Sequence, residues 1–241
     1  MKCTYDLCNG TGFIPVMTET GEQEFKPCKC RLERSLHESL KKKRIEARIP
    51  VRYWDYSYDN YKKLAKMLEP KLLPQTLAEN QKNLAILEKY IESPEKLTAG
   101  PQVLWIWGTD DNACHTTLAI ILSESILKAN YKVLFLEFYK LMEMFTNFTS
   151  KSEYFQQLQG YDFYIIDDAF DTTRCKATDY RQAQLFGFMN DLFNDNKHII
   201  CTSNISAKNI DPIFSQLKII INRSIEEIRI QGSFTPILQH L

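Results

Sequence analysis

The sequence predicts an α/β fold: a five-stranded parallel sheet flanked by helices, preceded by a small N-terminal cysteine module. Three observations predict it. Short apolar segments alternate with helical ones from residue 100 onward. One of those segments ends in two adjacent acids. Four of the seven cysteines fall within the first thirty residues. The division that follows is residues 1–31 as a zinc-binding module, 32–62 as a basic helix and aromatic linker, and 63–241 as the α/β domain.

Cys3, Cys8, Cys28 and Cys30 form two close pairs, Cx4C and CxC. The start of the chain, Met1-Lys2-Cys3-Thr4-Tyr5-Asp6, shows no apolar signal region, so a cytoplasmic protein is expected. In a reducing compartment, clustered thiols favour a metal over disulfides. Four thiolates can close a tetrahedral Zn2+ site. With no open position and no nearby histidine, its role is structural. Gly10 and Gly12 let the chain turn sharply behind Cys8, so that backbone N–H groups can face the sulfurs. Residues 18–24 predict a hairpin with its turn near Gly21.

Residues 31–48 carry seven basic residues against three acidic ones. Leu32, Leu36, Leu40 and Ile45 recur near helical spacing, which predicts an amphipathic helix stopped by Pro50. The run Lys41-Lys42-Lys43-Arg44 is either a phosphate-neutralising patch for DNA or a solvated face. The aromatic stretch of residues 49–61 predicts an extended strap packed on the next domain. Its rings either stack on bases or fill the core.

A helix is expected over residues 80–91. Then come a strand at Val103–Trp107, a helix at 116–129, a strand at 132–138 and a helix at 139–148. Strands at 162–166, 198–202 and 225–230, with a helix at 181–194, complete the pattern. Such alternation argues for a parallel sheet covered on both faces.

The 30 basic and 30 acidic residues balance, and 44% of the chain is hydrophobic. This composition excludes a disordered chain, a collagen-like repeat and a strongly basic histone-like binder. No apolar run approaches the roughly 18 residues of a membrane helix, so no membrane partner is expected. His37, His198 and His240 show no partner pattern.

Three features fall at the C-terminal ends of predicted strands, where open α/β sheets bind ligands. Tyr164-Ile165-Ile166-Asp167-Asp168 has the pattern of a Walker B strand, in which the first acid holds Mg2+ and the second orients the attacking water. Ile199-Ile200-Cys201-Thr202-Ser203-Asn204 ends in polar residues, and the Asn204 amide could touch a γ-phosphate. Trp107-Gly108-Thr109-Asp110-Asp111-Asn112-Ala113-Cys114-His115-Thr116-Thr117 occupies the place of a phosphate-binding loop, and Gly108, Asn112, His115, Thr116 and Thr117 are its candidate nucleotide contacts. A working loop reads GxxxxGK[ST]. Anchored on Gly108, Ala113 replaces the second glycine, Cys114 the lysine and His115 the hydroxyl residue. Anchored on the helix start, Thr109 and Cys114 replace the glycines, His115 the lysine, and Thr116 keeps the hydroxyl. Neither alignment has a lysine, and Asp110 and Asp111 add negative charge. Loss of the lysine alone weakens ATP binding roughly ten- to hundredfold. The helix N-terminus still favours an anion.

Over almost its whole length the chain resembles the DnaC/DnaI-type helicase loaders, grouped with IstB-like AAA+ ATP-binding proteins. The resemblance runs through Cys8-Asn9-Gly10-Thr11-Gly12-Phe13-Ile14 to Pro27-Cys28-Lys29-Cys30-Arg31, similar to the zinc module of many loaders. It continues through Ala47-Arg48-Ile49-Pro50, Tyr56-Ser57-Tyr58-Asp59-Asn60-Tyr61, Tyr161 to Asp168, and Thr202-Ser203-Asn204. It implies an AAA+ P-loop-type sheet that binds ATP, Mg2+ and single-stranded DNA. It also implies an N-terminal module that binds a replicative hexameric helicase, and self-association into transient rings or spirals. By position, Thr116 would touch Mg2+, Asp167 would hold it, Asp168 would orient water and Asn204 would sense the γ-phosphate.

The chain departs from that pattern. The family's Ser-Arg arginine finger is Ser215-Gln216 here, with Lys218 or Arg223 as stand-ins. Gly232-Ser233-Phe234 is followed by Thr235 where the family often has arginine. An arginine finger supplies about 10³–10⁵ in rate, so its loss would nearly silence an ATPase. Two alternatives to a nucleotide-binding loader follow: a degenerate, non-hydrolysing adaptor or inhibitor of the helicase, and an IstB-like transposition helper. The cysteine module argues against the last.

Overall fold

A computed structural model describes residues 2–110, 114–145, 158–171 and 178–232. The chain divides into two compact units, Met1–Glu46 and Ala47–Leu241.

In the first unit, β1 (Phe13–Met17) and β2 (Gln23–Pro27) pair antiparallel, with Phe13 opposite Pro27. The turn between them closes through Thr18 and Glu22, and Gly21 takes φ +82°. That left-handed backbone favours glycine. Helix α1 (Lys29–Glu46) follows, built from leucine, glutamate, lysine and arginine, all good helix formers. Its leucine face is not covered as the periodicity suggests. Leu32, Leu36 and Ile45 are exposed, and only Cys30 and Arg44 are buried.

In the second unit, residues 51–61 form two helical pieces joined by a turn rather than an extended strap. A 3-10 turn covers Val51–Tyr53. Helix α2 (Tyr58–Leu68) then starts at Ser57, whose hydroxyl accepts from the Asn60 N–H at 3.2 Å. That cap turns the tyrosine spacing into helix positions, and Tyr61 is buried on the inner face. Helix α3 (Pro74–Glu92) starts six residues before the expected residue 80, with proline at its first position. A short α4 (Glu95–Thr98) leads into β3 (Val103–Trp107).

The remaining elements alternate as predicted, with one helix, Ser215–Ile221, that the sequence reading does not include. They are α5 (His115–Lys128), β4 (Val133–Glu137), α6 (Phe138–Met144), β5 (Phe163–Asp167), α7 (Asp179–Asn194), β6 (His198–Ser203), α8 (Ser215–Ile221) and β7 (Ile225–Arg229). Residues 146–148 of the helix expected at 139–148 lie outside the described residues. The five strands run parallel in the order β4-β5-β6-β3-β7. The inner strands are buried on both faces, which is why they read as unbroken apolar runs. Helix α5 lies against the sheet with Leu118, Ala119, Leu122 and Ile126 at zero exposure. Trp105, Phe138, Phe170 and Phe214 pack in the core, with Phe170 edge-on to Phe214 at 5.0 Å. No helix among the described residues is long and apolar enough to cross a membrane.

Candidate functional site

Strand register brings the three predicted features together. Trp107 pairs with Ser203, and Ile166 pairs with Cys201, so β5, β6 and β3 finish side by side. The end of β6 organises both neighbouring loops. The Ser203 carbonyl accepts from the Gly108 N–H at 3.2 Å, and its hydroxyl donates to the Ala169 carbonyl at 2.8 Å. The Thr202 carbonyl accepts from the Ala169 N–H at 2.7 Å.

Asp167 sits at the centre. Its Oδ1 accepts from the Thr202 hydroxyl at 2.6 Å and from the Thr116 hydroxyl at 2.7 Å. Burial pushes the Asp167 carboxyl above the ordinary carboxylate range, the two threonine hydrogen bonds oppose this, and the adjacent Asp168 charge adds to it. Asp168 takes φ +52°, a left-handed backbone, and its N–H donates to the Thr202 hydroxyl at 3.0 Å. A threonine and a carboxylate 2.7 Å apart are hard oxygen donors and fit Mg2+.

The loop between β3 and α5 ends at Cys114, directly before the helix, with φ +58° and ψ +26°. In the alignment anchored on the helix start, this position belongs to the second glycine. A side chain there costs about 1–2 kcal/mol. His115 follows in the lysine's place. Its Nε2 lies 3.9 Å from Asp168 Oδ1, and its buried Nδ1 has no hydrogen-bond partner among the described residues. Thr117 is buried and bonds the Cys114 thiol, which burial raises to about 11. Asn112 lies outside the described residues, as do Asp111 and Ala113.

Other predicted residues fall elsewhere. Asn204 is exposed, just past β6. Arg223 is exposed just before β7, at the opposite ends of the strands from Asp167, so it cannot serve this same site. Lys218 donates to the Lys208 carbonyl. Residues 233–235 lie outside the described residues.

Sequence reasoning missed two anchors. Thr202 was read only as part of a polar strand end, yet it binds both Asp167 and the backbone of Asp168. Asp110 was read as negative charge beside the phosphates, yet its Oδ2 accepts from the Gly232 N–H at 2.7 Å. The Ile230 N–H bonds the Trp107 carbonyl at 2.7 Å. The Asn80 side chain bonds both the carbonyl and the N–H of Gln231. The chain after β7 is thereby held beside the loop. Only alternation, not register, was visible there.

In the first unit, the Sγ atoms of Cys3, Cys8, Cys28 and Cys30 all lie within 4.8 Å of one another, and all four residues are buried. Cys3 and Cys28 are 3.8 Å apart, Cys3 and Cys30 3.6 Å, and Cys8 and Cys30 3.5 Å. Four sulfurs at about 2.3 Å from a tetrahedral Zn2+ would be about 3.8 Å apart, so the cluster fits that ion. The Gly12 N–H and Arg34 Nη2 donate to Cys8 and Cys30 at 3.3 and 3.5 Å. Gly10 and Gly12 take φ +85° and +80°, as the turn behind Cys8 requires.

The parallel β4-β5-β6-β3-β7 sheet, with paired acids after its second strand, gives the chain a fold like that of solved DnaC and DnaI structures. Among solved structures, the chain is similar to the DnaC helicase loader, with TM-score 0.57 and 14% identity over 75% of this chain and 99% of that one. It is similar to DnaI, with TM-score 0.50 and 15% identity over 63% of this chain and 81% of that one. It also resembles the replication initiator DnaA bound to AMPPCP and single-stranded DNA, with TM-score 0.53 and 17% identity over 64% of this chain. The chain spans about half of that structure, 47%. No family model and no curated protein matches the sequence.

Proposed function

We propose that this protein acts in DNA replication as a helicase-loader-like AAA+ protein, binding a nucleoside triphosphate with Mg2+ at the ends of β3, β5 and β6. The observation that carries this reading is the Asp167 carboxylate, buried and tied to Thr116 on α5 and Thr202 on β6. Thr116 and Asp167 would hold Mg2+, which when bound neutralises terminal phosphate oxygens. The first N–H groups of α5 bind phosphate. Asp168 orients the attacking water, and Asn204 reaches the terminal phosphate. His115 is a weaker cation than lysine, so affinity is reduced.

The cysteine cluster would hold a structural Zn2+ and shape the helicase-binding module. The exposed leucines of α1 support a role for that helix in docking a replicative hexameric helicase, and its basic run supports contact with single-stranded DNA. Arg223 is the candidate finger toward a neighbouring copy in a self-assembled ring. A cytoplasmic location belongs to the same reading.

A second reading is favoured by Cys114 and His115 standing where glycine and lysine are expected. In it the protein is a non-hydrolysing adaptor or inhibitor of the helicase. A fluorescent ATP analogue titrated with and without Mg2+ separates the two. Micromolar binding that is lost in Asp167→Ala supports the first reading, and no binding supports the second. Recovery of a hexameric helicase by the full chain tests the partner class in both.

A further inference from the structure

The nucleotide site is short of positive charge. Asp167 ends β5 with Asp168 directly after it, and Glu137 ends β4 in register with Asp167. Lys140 of α6 pairs with Glu137 at 2.8 Å, and among the described residues of the loop and the first turn of α5 only His115 opposes the two aspartates, its Nε2 3.9 Å from Asp168 Oδ1. The segment that starts the second unit brings another cation. The Ala47 carbonyl accepts from the Phe135 N–H at 2.8 Å, which pins this segment to the edge strand two residues before Glu137. Pro50, with extended backbone, then leads into the 3-10 turn, and the Trp54 indole closes back on the Ile49 carbonyl at 3.0 Å. Arg52 sits in that turn. It is exposed, with its guanidinium 4.8 Å from the centre of the half-buried Tyr53 ring.

The electrostatics agree with this placement. Arg52 holds its proton more firmly because of Tyr53 first, and then because of the charges of Glu137 and Asp167. Tyr53 is raised by burial, opposed by Arg52, and raised further by Asp167 and Asp168. A guanidinium over an aromatic ring, in the field of Glu137 and Asp167, is suited to phosphate, which it can grip through two N–H groups.

We propose that Arg52, presented from the turn before α2, supplies the phosphate-binding cation that the loop between β3 and α5 lacks, and that its ligand is the terminal phosphate of a nucleoside triphosphate. This rests on the nucleotide reading above. Arg52 is carried by a different segment from the loop, so no alignment of the loop alone reveals it. The rival role is structural: Arg52 only neutralises the repulsion among Glu137, Asp167 and Asp168.

The test measures binding of fluorescent ATP and ADP analogues to the full chain, with Mg2+, for the wild type, Arg52→Ala, Arg52→Gln and Arg52→Lys. Thermal melts establish that each variant folds; Arg52→Gln serves if Arg52→Ala does not. The expected result is a roughly ten- to hundredfold loss of triphosphate affinity in Arg52→Ala and Arg52→Gln. Diphosphate affinity changes less, and Arg52→Lys recovers part of the loss. Equal losses for ATP and ADP, or no loss, overturn the assignment while leaving the nucleotide reading intact. If the wild type binds neither nucleotide, that reading fails and this one with it.

Discussion

The Thr116 hydroxyl donates to Asp167 Oδ1 at 2.7 Å, joining the first turn of α5 to the last residue of β5. Thr202 donates to the same oxygen from β6. A buried carboxylate with two neutral donors, and no cation in direct contact among the described residues, is incompletely compensated. Its raised pKa is the consequence. In the folded state Asp167 takes up a proton at higher pH than in the unfolded chain. The folded state is therefore penalised above the folded pKa, and the penalty is relieved as pH falls toward the unfolded value. Asp167→Asn keeps an acceptor for both threonines and removes the charge. It is expected to raise Tm at neutral pH, by ~2–4 °C for each kcal/mol of relief. The difference from wild type shrinks on acidification. The same variant is expected to lose Mg2+-dependent nucleotide binding. Thermal melts across pH, paired with nucleotide titration, check both.

His115→Lys restores the cation at the start of α5. Nucleotide affinity is expected to rise roughly ten- to hundredfold. Pairing it with Cys114→Gly relieves the left-handed backbone at φ +58° and lets the loop close on phosphate. The double variant is expected to bind at least as tightly as His115→Lys. Failure of either variant to tighten binding would count against a phosphate-binding role for this loop.

The sheet was legible because doubly buried parallel strands are written as short apolar runs, and Val103–Trp107 is bounded in the structure as the sequence predicts. Asp167 was legible because two acids after such a run have no role in a core. Residues 51–61 were misread because aromatic residues serve helix and strand alike; the Ser57 cap was the signal, and it is a single hydroxyl. The anchoring roles of Thr202 and Asp110 were missed for another reason. Their partners, Asp167 and Gly232, are distant in sequence, and only strand register brings them together.

Asp110 tests that long-range link. Its carboxylate accepts from the Gly232 N–H, and so holds the chain after β7 against the loop. Asp110→Ala removes a charge-assisted hydrogen bond at an exposed position. A loss of about 1 kcal/mol in denaturant unfolding is expected. Asp110→Asn, which keeps the acceptor, is expected to fall between Asp110→Ala and wild type.

The cysteine cluster predicts a metal-dependent unit. Purified protein is expected to hold one Zn2+ per chain by elemental analysis. Structural zinc contributes on the order of 10–16 kcal/mol in small zinc domains, so a strong chelator should unfold residues 1–31. The α/β unit has its own core and should keep its melting transition. Cys28→Ser, which removes a fully buried ligand, is expected to reproduce the chelator's effect. A metal-free chain whose first unit melts cooperatively would sink the zinc assignment.

Leu36 separates folding from partnership. The residue is 71% exposed on α1, with Leu32 and Ile45 exposed along the same helix. A leucine in that position contributes little to the isolated chain, because it removes little apolar area from water. Leu36→Ser is therefore expected to change stability by no more than about 0.5 kcal/mol. If α1 docks a helicase through its apolar residues, the same substitution covers less area in the complex and opens a polar defect there. Recovery of the helicase by the full chain should then fall sharply, while Tm and zinc content stay fixed. Undiminished recovery would move the docking surface off this helix.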